Sequence, residues 1–117
     1  SKNDFQIARY YFPDSDKLQG KKVVIYGAGV VGKDYYAQIS RYMDCNIVAW
    51  VDTHPEKYEY PHIKLFGPEK LNTIEYDILL IAVGKEKIAQ EISFFLKEHG
   101  VEERKIFWSE PQLYKLL

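Results

Sequence analysis

The chain has 117 residues, 46% of them hydrophobic, with sixteen basic and seventeen acidic side chains and a formal charge of −1. That length suffices for one domain with a buried core, and the balanced charge excludes the global basic field of a nucleic-acid or anionic-membrane binder. No apolar run reaches the roughly 18–20 residues that cross a bilayer, no signal-peptide pattern is present, and the lone Cys45 excludes an internal disulfide framework and fits a reducing, cytoplasmic setting.

The chain opens Ser1-Lys2-Asn3-Asp4 without an initiator methionine and holds only Met43, the pattern expected of a piece of a longer protein. Residues 1–20 read as a lead-in and 21–117 as the domain proper. Phe5, Ala8, Tyr11 and Phe12 recur at helical spacing and predict a short helix ended by Pro13. After a loop, KVVIYG (22–27) is a β-branched run suited to a strand covered on both faces. A glycine turn follows, and Val31, Tyr35, Ile39, Tyr42 and Met43 form a helical stripe. NIVAWVD (46–52) predicts a second buried strand, 53–61 an irregular connection, and HIKLF (62–66) a weaker third strand. Gly67-Pro68-Glu69 starts a brief helix, with proline near its first position. YDILLIAVG (76–84) is the fourth and most apolar strand, and Ile88, Ile92, Phe95 and Leu96 define a helix stopped by Gly100. RKIFW (104–108) predicts a fifth strand, and Ser109-x-x-Gln112 resembles a capping box opening a last helix that buries Leu113, Leu116 and Leu117. This alternation predicts an α/β, Rossmann-like three-layer αβα fold with a mostly parallel five-stranded sheet in the order 3-2-1-4-5.

The turn GAGVVGKD, Gly27 to Asp34, fits two phosphate-binding patterns. As a P-loop it needs a hydroxyl after Lys33, where Asp34 stands instead; a carboxylate ~4 Å from a phosphate charge is repelled by about 4 kcal/mol at an effective dielectric near 20. As a dinucleotide fingerprint, Gly27 permits the sharp exit from the strand, Gly29 lets a pyrophosphate approach, and Gly32 lets helix and strand pack closely. The helix N-terminus adds amide donors and positive potential. Asp52 lies 52 − 32 = 20 residues beyond the third glycine, at the end of the second strand, where a carboxylate accepts ribose hydroxyls. It would repel a 2′-phosphate, and no arginine follows in Asp52-Thr53-His54-Pro55, so NAD is favoured over NADP, with a nucleotide sugar as the alternative. The expected contacts are Gly27, Ala28, Gly29, Val30, Val31 and Gly32, with Asp52, Thr53, Val83 and Gly84, the last ending a strand at the switch point.

Chemistry beyond binding is sparse. Tyr60-Pro61-His62-Ile63-Lys64 spells the Tyr-x-x-x-Lys of short-chain dehydrogenases, but proline interrupts it and the surroundings read as loop. Asp52, His54 and His62 have no familiar tetrahedral metal spacing, His99 suits a helix C-terminus, and Lys85, Glu86 and Lys87 read as a solvated first helical turn. Cys45 reads as a small apolar residue near a helix end. No catalytic residue and no metal site is expected.

With these residues in place, the chain resembles small Rossmann-type NAD(P)-binding, nucleotide-sugar epimerase-like domains attached to bacterial glycosyltransferases and methyltransferases of surface-polysaccharide pathways. The resemblance rests on Tyr11-Phe12-Pro13, Val24 to Tyr36, Val48-Ala49-Trp50-Val51-Asp52, Tyr76-Asp77 before Leu80-Ile81-Ala82-Val83, and the closing GVEERKIFW (100–108). It implies an accessory domain without turnover of its own, whose partners are a nucleotide, the other domains of the parent chain and, as an alternative, a second copy in a homodimer. Two other classes remain beside it. One is the cofactor-binding half of an NAD-dependent nucleotide-sugar oxidoreductase or epimerase. The other is a ligand-free scaffold that docks through ARYYFP (8–13) and the leucine-rich C-terminus.

Overall fold

The computed structural model describes residues 8–114. In chain order the elements are β1 (Tyr10–Tyr11), β2 (Lys22–Tyr26), α1 (Val30–Tyr42), β3 (Asn46–Val51), β4 (Ile78–Ile81), α2 (Glu86–Glu98), β5 (Ile106–Phe107) and β6 (Gln112–Leu113). Short 3-10 turns occupy Ser15–Lys17, Pro55–Lys57, Pro68–Asn72 and Glu103–Lys105.

β2 is the central strand because its apolar residues are covered on both faces. It pairs in parallel with β3 on one side and β4 on the other, and β4 pairs in parallel with β5, giving the order β3-β2-β4-β5. Val23 and Ile25 pack with Tyr35 and Ile39 of α1, Trp50, Ile78 and Leu80. Val24 and Tyr26 point the opposite way, into a cluster with Ala49, Val51, Leu79, Ile81 and, from α2, Ala89 and Leu96. Each fully buried aliphatic side chain stabilises by about 1.5–3 kcal/mol, so the two clusters fix α1 and α2 against the sheet. Gly100 takes φ +91 immediately after α2 and turns the chain toward β5.

The five-stranded, three-layer αβα Rossmann-like arrangement expected from the alternation is not what the chain adopts. The described residues form a four-stranded parallel sheet, a separate two-stranded antiparallel sheet of β1 and β6, and two α-helices. The expected third strand is absent for a local reason. His62 takes a left-handed φ of +65 and closes a turn in which the Ile63 N–H donates to the Tyr60 carbonyl at 3.2 Å. Pro68 then opens the next 3-10 turn. Between the two, only Phe66 reaches the sheet, donating its N–H to the Trp50 carbonyl (3.0 Å) and accepting the Asp52 N–H (2.9 Å).

Both terminal helices are likewise replaced. Residues 5–7 of the first lie outside the described residues; the remainder, through Phe12, is extended and contains β1. It lies along α1 as a strap. Asp34 Oδ2 accepts the N–H groups of Arg9 (2.9 Å) and Tyr10 (3.1 Å). One helical turn on, the Gln38 amide accepts the Phe12 N–H (2.7 Å) and donates to the Phe12 carbonyl (3.0 Å). On its other edge β1 pairs with β6, Tyr10 opposite Leu113 and Tyr11 opposite Gln112, and the Tyr114 N–H donates to the Arg9 carbonyl at 3.0 Å. The segment expected to cap a last helix instead leads into the strand β6, with Leu113 63% exposed; Leu116 and Leu117 lie outside the described residues. Phe12 and Leu18 sink into the α1-side core and anchor the strap.

Asp34→Ala removes the acceptor of two strap amides, and hydrogen bonds to charged groups contribute about 1.5–3 kcal/mol. The expected outcome is a lower urea midpoint with an unchanged denaturant slope, together with faster amide exchange at Arg9 and Tyr10.

Candidate functional site

The turn between β2 and α1 is built around two glycines that cannot be replaced. Gly27 has φ +122, and a Cβ placed on it would lie 2.7 Å from the Ala82 carbonyl oxygen, against the end of β4. A Cβ on Gly32 would run into the Gly27 carbonyl oxygen. Gly29 is different. Its φ of −73 is open to any residue, and a Cβ there would meet only the Tyr58 hydroxyl, at 3.8 Å. Neither backbone geometry nor packing demands a glycine at that position.

Three side chains from β3 and the loop after it hold the turn. Trp50 Nε1 donates to the Gly27 carbonyl (2.7 Å), Asp52 Oδ2 accepts the Ala28 N–H (2.8 Å), and the Tyr60 hydroxyl donates to the Ala28 carbonyl (2.6 Å). Asp52 Oδ1 also accepts the His54 N–H at 2.7 Å. A carboxylate has about four lone-pair sites, so two amide partners orient Asp52 and leave acceptor capacity on both oxygens. Beyond the clamp, α1 starts at Gly29 with no side-chain cap and no acid in its first turn, and Val30 is 53% exposed. Helix N-termini in this state carry unpaired amides and positive potential.

Sequence-derived contacts thus divide into two groups. Gly27, Ala28, Gly29, Val30, Val31 and Gly32 lie with Asp52 at the carboxyl edge of the sheet, where Asp52 bonds to Ala28. Gly84 joins them: a Cβ on it would lie 4.0 Å from Val31 Cγ2, its nearest neighbour. This edge lies where strand order reverses around β2, the position at which open parallel sheets leave a crevice. Thr53 and Val83 are engaged otherwise. The Thr53 hydroxyl shares a 2.7 Å hydrogen bond with the Tyr26 hydroxyl, and the Val83 carbonyl accepts Trp108 Nε1 at 2.9 Å.

The remaining motifs also find their places. Asp34, which spoils the P-loop pattern, holds the strap. Tyr60 donates to the turn, and burial first, then the nearby Tyr58, Asp52 and Asp34, push its phenol above the ordinary range, the opposite of what an ionised catalytic tyrosine needs. Lys64 places its ammonium 5.2 Å from the Phe66 ring centre. His54 pairs with Glu56 at 3.4 Å, while His62 serves the left-handed turn. Among the described residues no three His, Cys, Asp or Glu side chains converge as a metal set. His99 Nδ1 meets the Phe95 carbonyl at 2.8 Å, at the C-terminus of α2.

What sequence reading missed is an aromatic stack beside the turn. Tyr36 and Trp50 lie 4.6 Å apart with planes 11° from parallel; Trp50 and Tyr60, 5.0 Å and 6°; Tyr60 and Tyr58, 6.5 Å and 12°. The available signal was the alternation Tyr58-x-Tyr60, a strand-like period inside a segment otherwise read as irregular.

Two outcomes follow from this geometry. Gly32→Ala is expected to destabilise by about 3 kcal/mol or more, because its Cβ meets backbone that cannot move aside. Gly29→Ala is expected to change stability by about 1 kcal/mol or less, the difference between glycine and alanine at a helix start; paired urea unfolding curves check the contrast. The second outcome concerns alkali. The phenols of Tyr26, Tyr35, Tyr60 and Tyr76 are all raised, with burial as the first cause in each. Burial keeps them neutral, so their stabilising contribution is whole below the unfolded phenol pKa of ~10 and is lost as pH rises above it toward the folded values. Urea midpoints measured at about pH 9 and pH 11 should fall between the two, in step with a phenol absorbance titration.

No curated protein matches the chain. A family model described as C2185-like, N-terminal, matches residues 19–107, from the end of the strap through β5. The match takes in the glycine turn, the clamp and the aromatic stack, and by it the chain belongs to the C2185-like N-terminal family.

Proposed function

We propose that the carboxyl edge between β2 and β4 binds the diphosphate of a nucleotide, NAD in the first instance and a nucleotide sugar as the alternative. The chain then acts as a non-catalytic accessory domain of a larger cytoplasmic protein of the bacterial glycosyltransferase type. The observation that carries the reading is Gly29, a glycine that neither sterics nor backbone conformation requires, set at the uncapped start of α1. Leaving out its side chain keeps a cradle that a diphosphate fills, with the first-turn amides of α1 as donors. Asp52, oriented by Ala28 and His54, would take ribose hydroxyls and disfavour a 2′-phosphate. Gly84 leaves room for the ligand to continue past Val31 toward β4. Bound NAD would bring hydride chemistry; burial raises the Tyr60 phenol above its ordinary range and disfavours its ionisation as a base beside it. Attachment to a transferase is supported by the resemblance of the glycine turn and the β3 segment.

One observation favours a second reading, a ligand-free docking scaffold. The Gly27 carbonyl and both polar groups of Ala28 are already bonded within the chain.

Thermal unfolding with NAD, NADP and a uridine-diphosphate sugar separates the two. A ligand at 100 times its dissociation constant adds ~2.7 kcal/mol, a rise in Tm on the order of 10 °C for a domain of this size. NAD is expected to stabilise the wild type more than NADP does, and Gly29→Val to abolish the shift while the ligand-free variant still folds. Absence of stabilisation by every one of these ligands would leave the scaffold reading.

A further inference from the structure

Resting on the nucleotide reading above, we infer that the outer end of the aromatic stack, the Tyr58–Tyr60 pair, seats the planar ring of the nucleobase. Three features of this chain carry the assignment. The first is ring geometry. Tyr58 is extended, at φ −128 and ψ +147, so its side chain and that of Tyr60 project to the same side. Their planes lie within 12° with centroids 6.5 Å apart, against 5.0 Å for the tighter contact of Tyr60 with Trp50. A planar ring laid on the outer face of Tyr58 would extend this near-parallel series at the ~3.5 Å contact distance of aromatic carbon. Stacking suits a base of any identity, because every base has a π-face.

The second feature is rigidity. Tyr60 is held from behind by Trp50, which is 2% exposed and itself backed by Tyr36, and from its hydroxyl by the Ala28 carbonyl. A platform already ordered loses little conformational entropy when a ligand stacks on it. The third is placement. The Tyr58 hydroxyl lies 3.8 Å from where a Cβ on Gly29 would sit, and Asp52 bonds to the adjacent Ala28 N–H. Base, ribose and diphosphate therefore find, around one turn, an aromatic pair, a carboxylate and a row of helix amides. The left-handed His62 belongs to the same device, since the turn it closes aims Tyr60 back at Ala28.

The experiment is isothermal titration of NAD, ADP, UDP and inorganic pyrophosphate into wild type, Tyr58→Phe, Tyr58→Leu, Tyr58→Ala and Gly29→Val. Near-UV circular dichroism confirms folding of each variant. Removing the ring should weaken the base-bearing ligands roughly 5- to 150-fold, the range of single-base stacking, while Tyr58→Phe, which keeps the ring, stays within about threefold of wild type. Pyrophosphate, which has no base, should bind Tyr58→Leu and Tyr58→Ala as it binds wild type. Gly29→Val should weaken every ligand. If the ring-deleted variants hold ADP and UDP as tightly as wild type while Gly29→Val does not, the base seat is wrong and the nucleotide reading stands. Failure of all four ligands to bind wild type would overturn both. A greater loss for ADP than for UDP would identify the occupant as a purine, and the reverse a pyrimidine.

Discussion

The absence of two side chains is the constraint on which the rest of the structure depends. With no Cβ at Gly27, the end of β2 lies against the Ala82 carbonyl. With no Cβ at Gly32, α1 starts directly beneath the Gly27 carbonyl. That carbonyl, pressed inward, is satisfied by the indole N–H of Trp50, whose ring is buried between β3 and α1. A methyl group at either glycine would push the helix off the sheet, separate Trp50 from its acceptor and loosen the ring stack that leans on it. Close approach of helix and strand and the geometry of the candidate site are therefore one steric fact.

The residues that depart from familiar phosphate-binding patterns are explained by the same frame. Asp34 is unsuited to a magnesium-nucleotide site, but a buried carboxylate one turn into α1 is well placed to accept two backbone amides from a passing segment. With Gln38 at the next turn it presents the strap with an artificial strand edge, so a two-stranded ribbon needs no place in the main sheet. The 53–63 connection likewise has a structure set by specific bonds. Its left-handed turn, its tie to Ala28 and its parallel tyrosines make it a wall of the site, and the same geometry prevents it from continuing into a third strand.

Legibility tracked the range of the interactions involved. β2, β3 and β4 could be read because they are apolar on both faces, and the helical stripes of α1 and α2 because one face of each is buried. Gly100 could be read because a left-handed stop is a single-residue property. The terminal segments misled for the same reason. Phe5, Ala8, Tyr11 and Phe12 have helical spacing, and Ser109-x-x-Gln112 is a capping pattern, yet β1 and β6 find backbone partners in each other that spacing along the chain does not reveal. In the candidate site, Gly27 to Gly32 and Asp52 were visible as a motif. The bonds of Thr53 to Tyr26 and of Val83 to Trp108 were not visible in it. The stacking of Tyr58 and Tyr60 was overlooked because an aromatic stack is a property of ring planes.

The chain by itself determined the apolar strands, the two α-helices, the glycine turn and an acid at the end of the second strand, since each follows from chemistry within a few residues. Only tertiary structure decided that four strands and not five make the parallel sheet, that the ends pair as a ribbon across α1, and that Asp52, Trp50 and Tyr60 grip the turn from one side. The physical reason is that a backbone amide or an aromatic face accepts any partner of suitable shape and polarity. Which partner it meets is settled by where the buried core brings distant segments together.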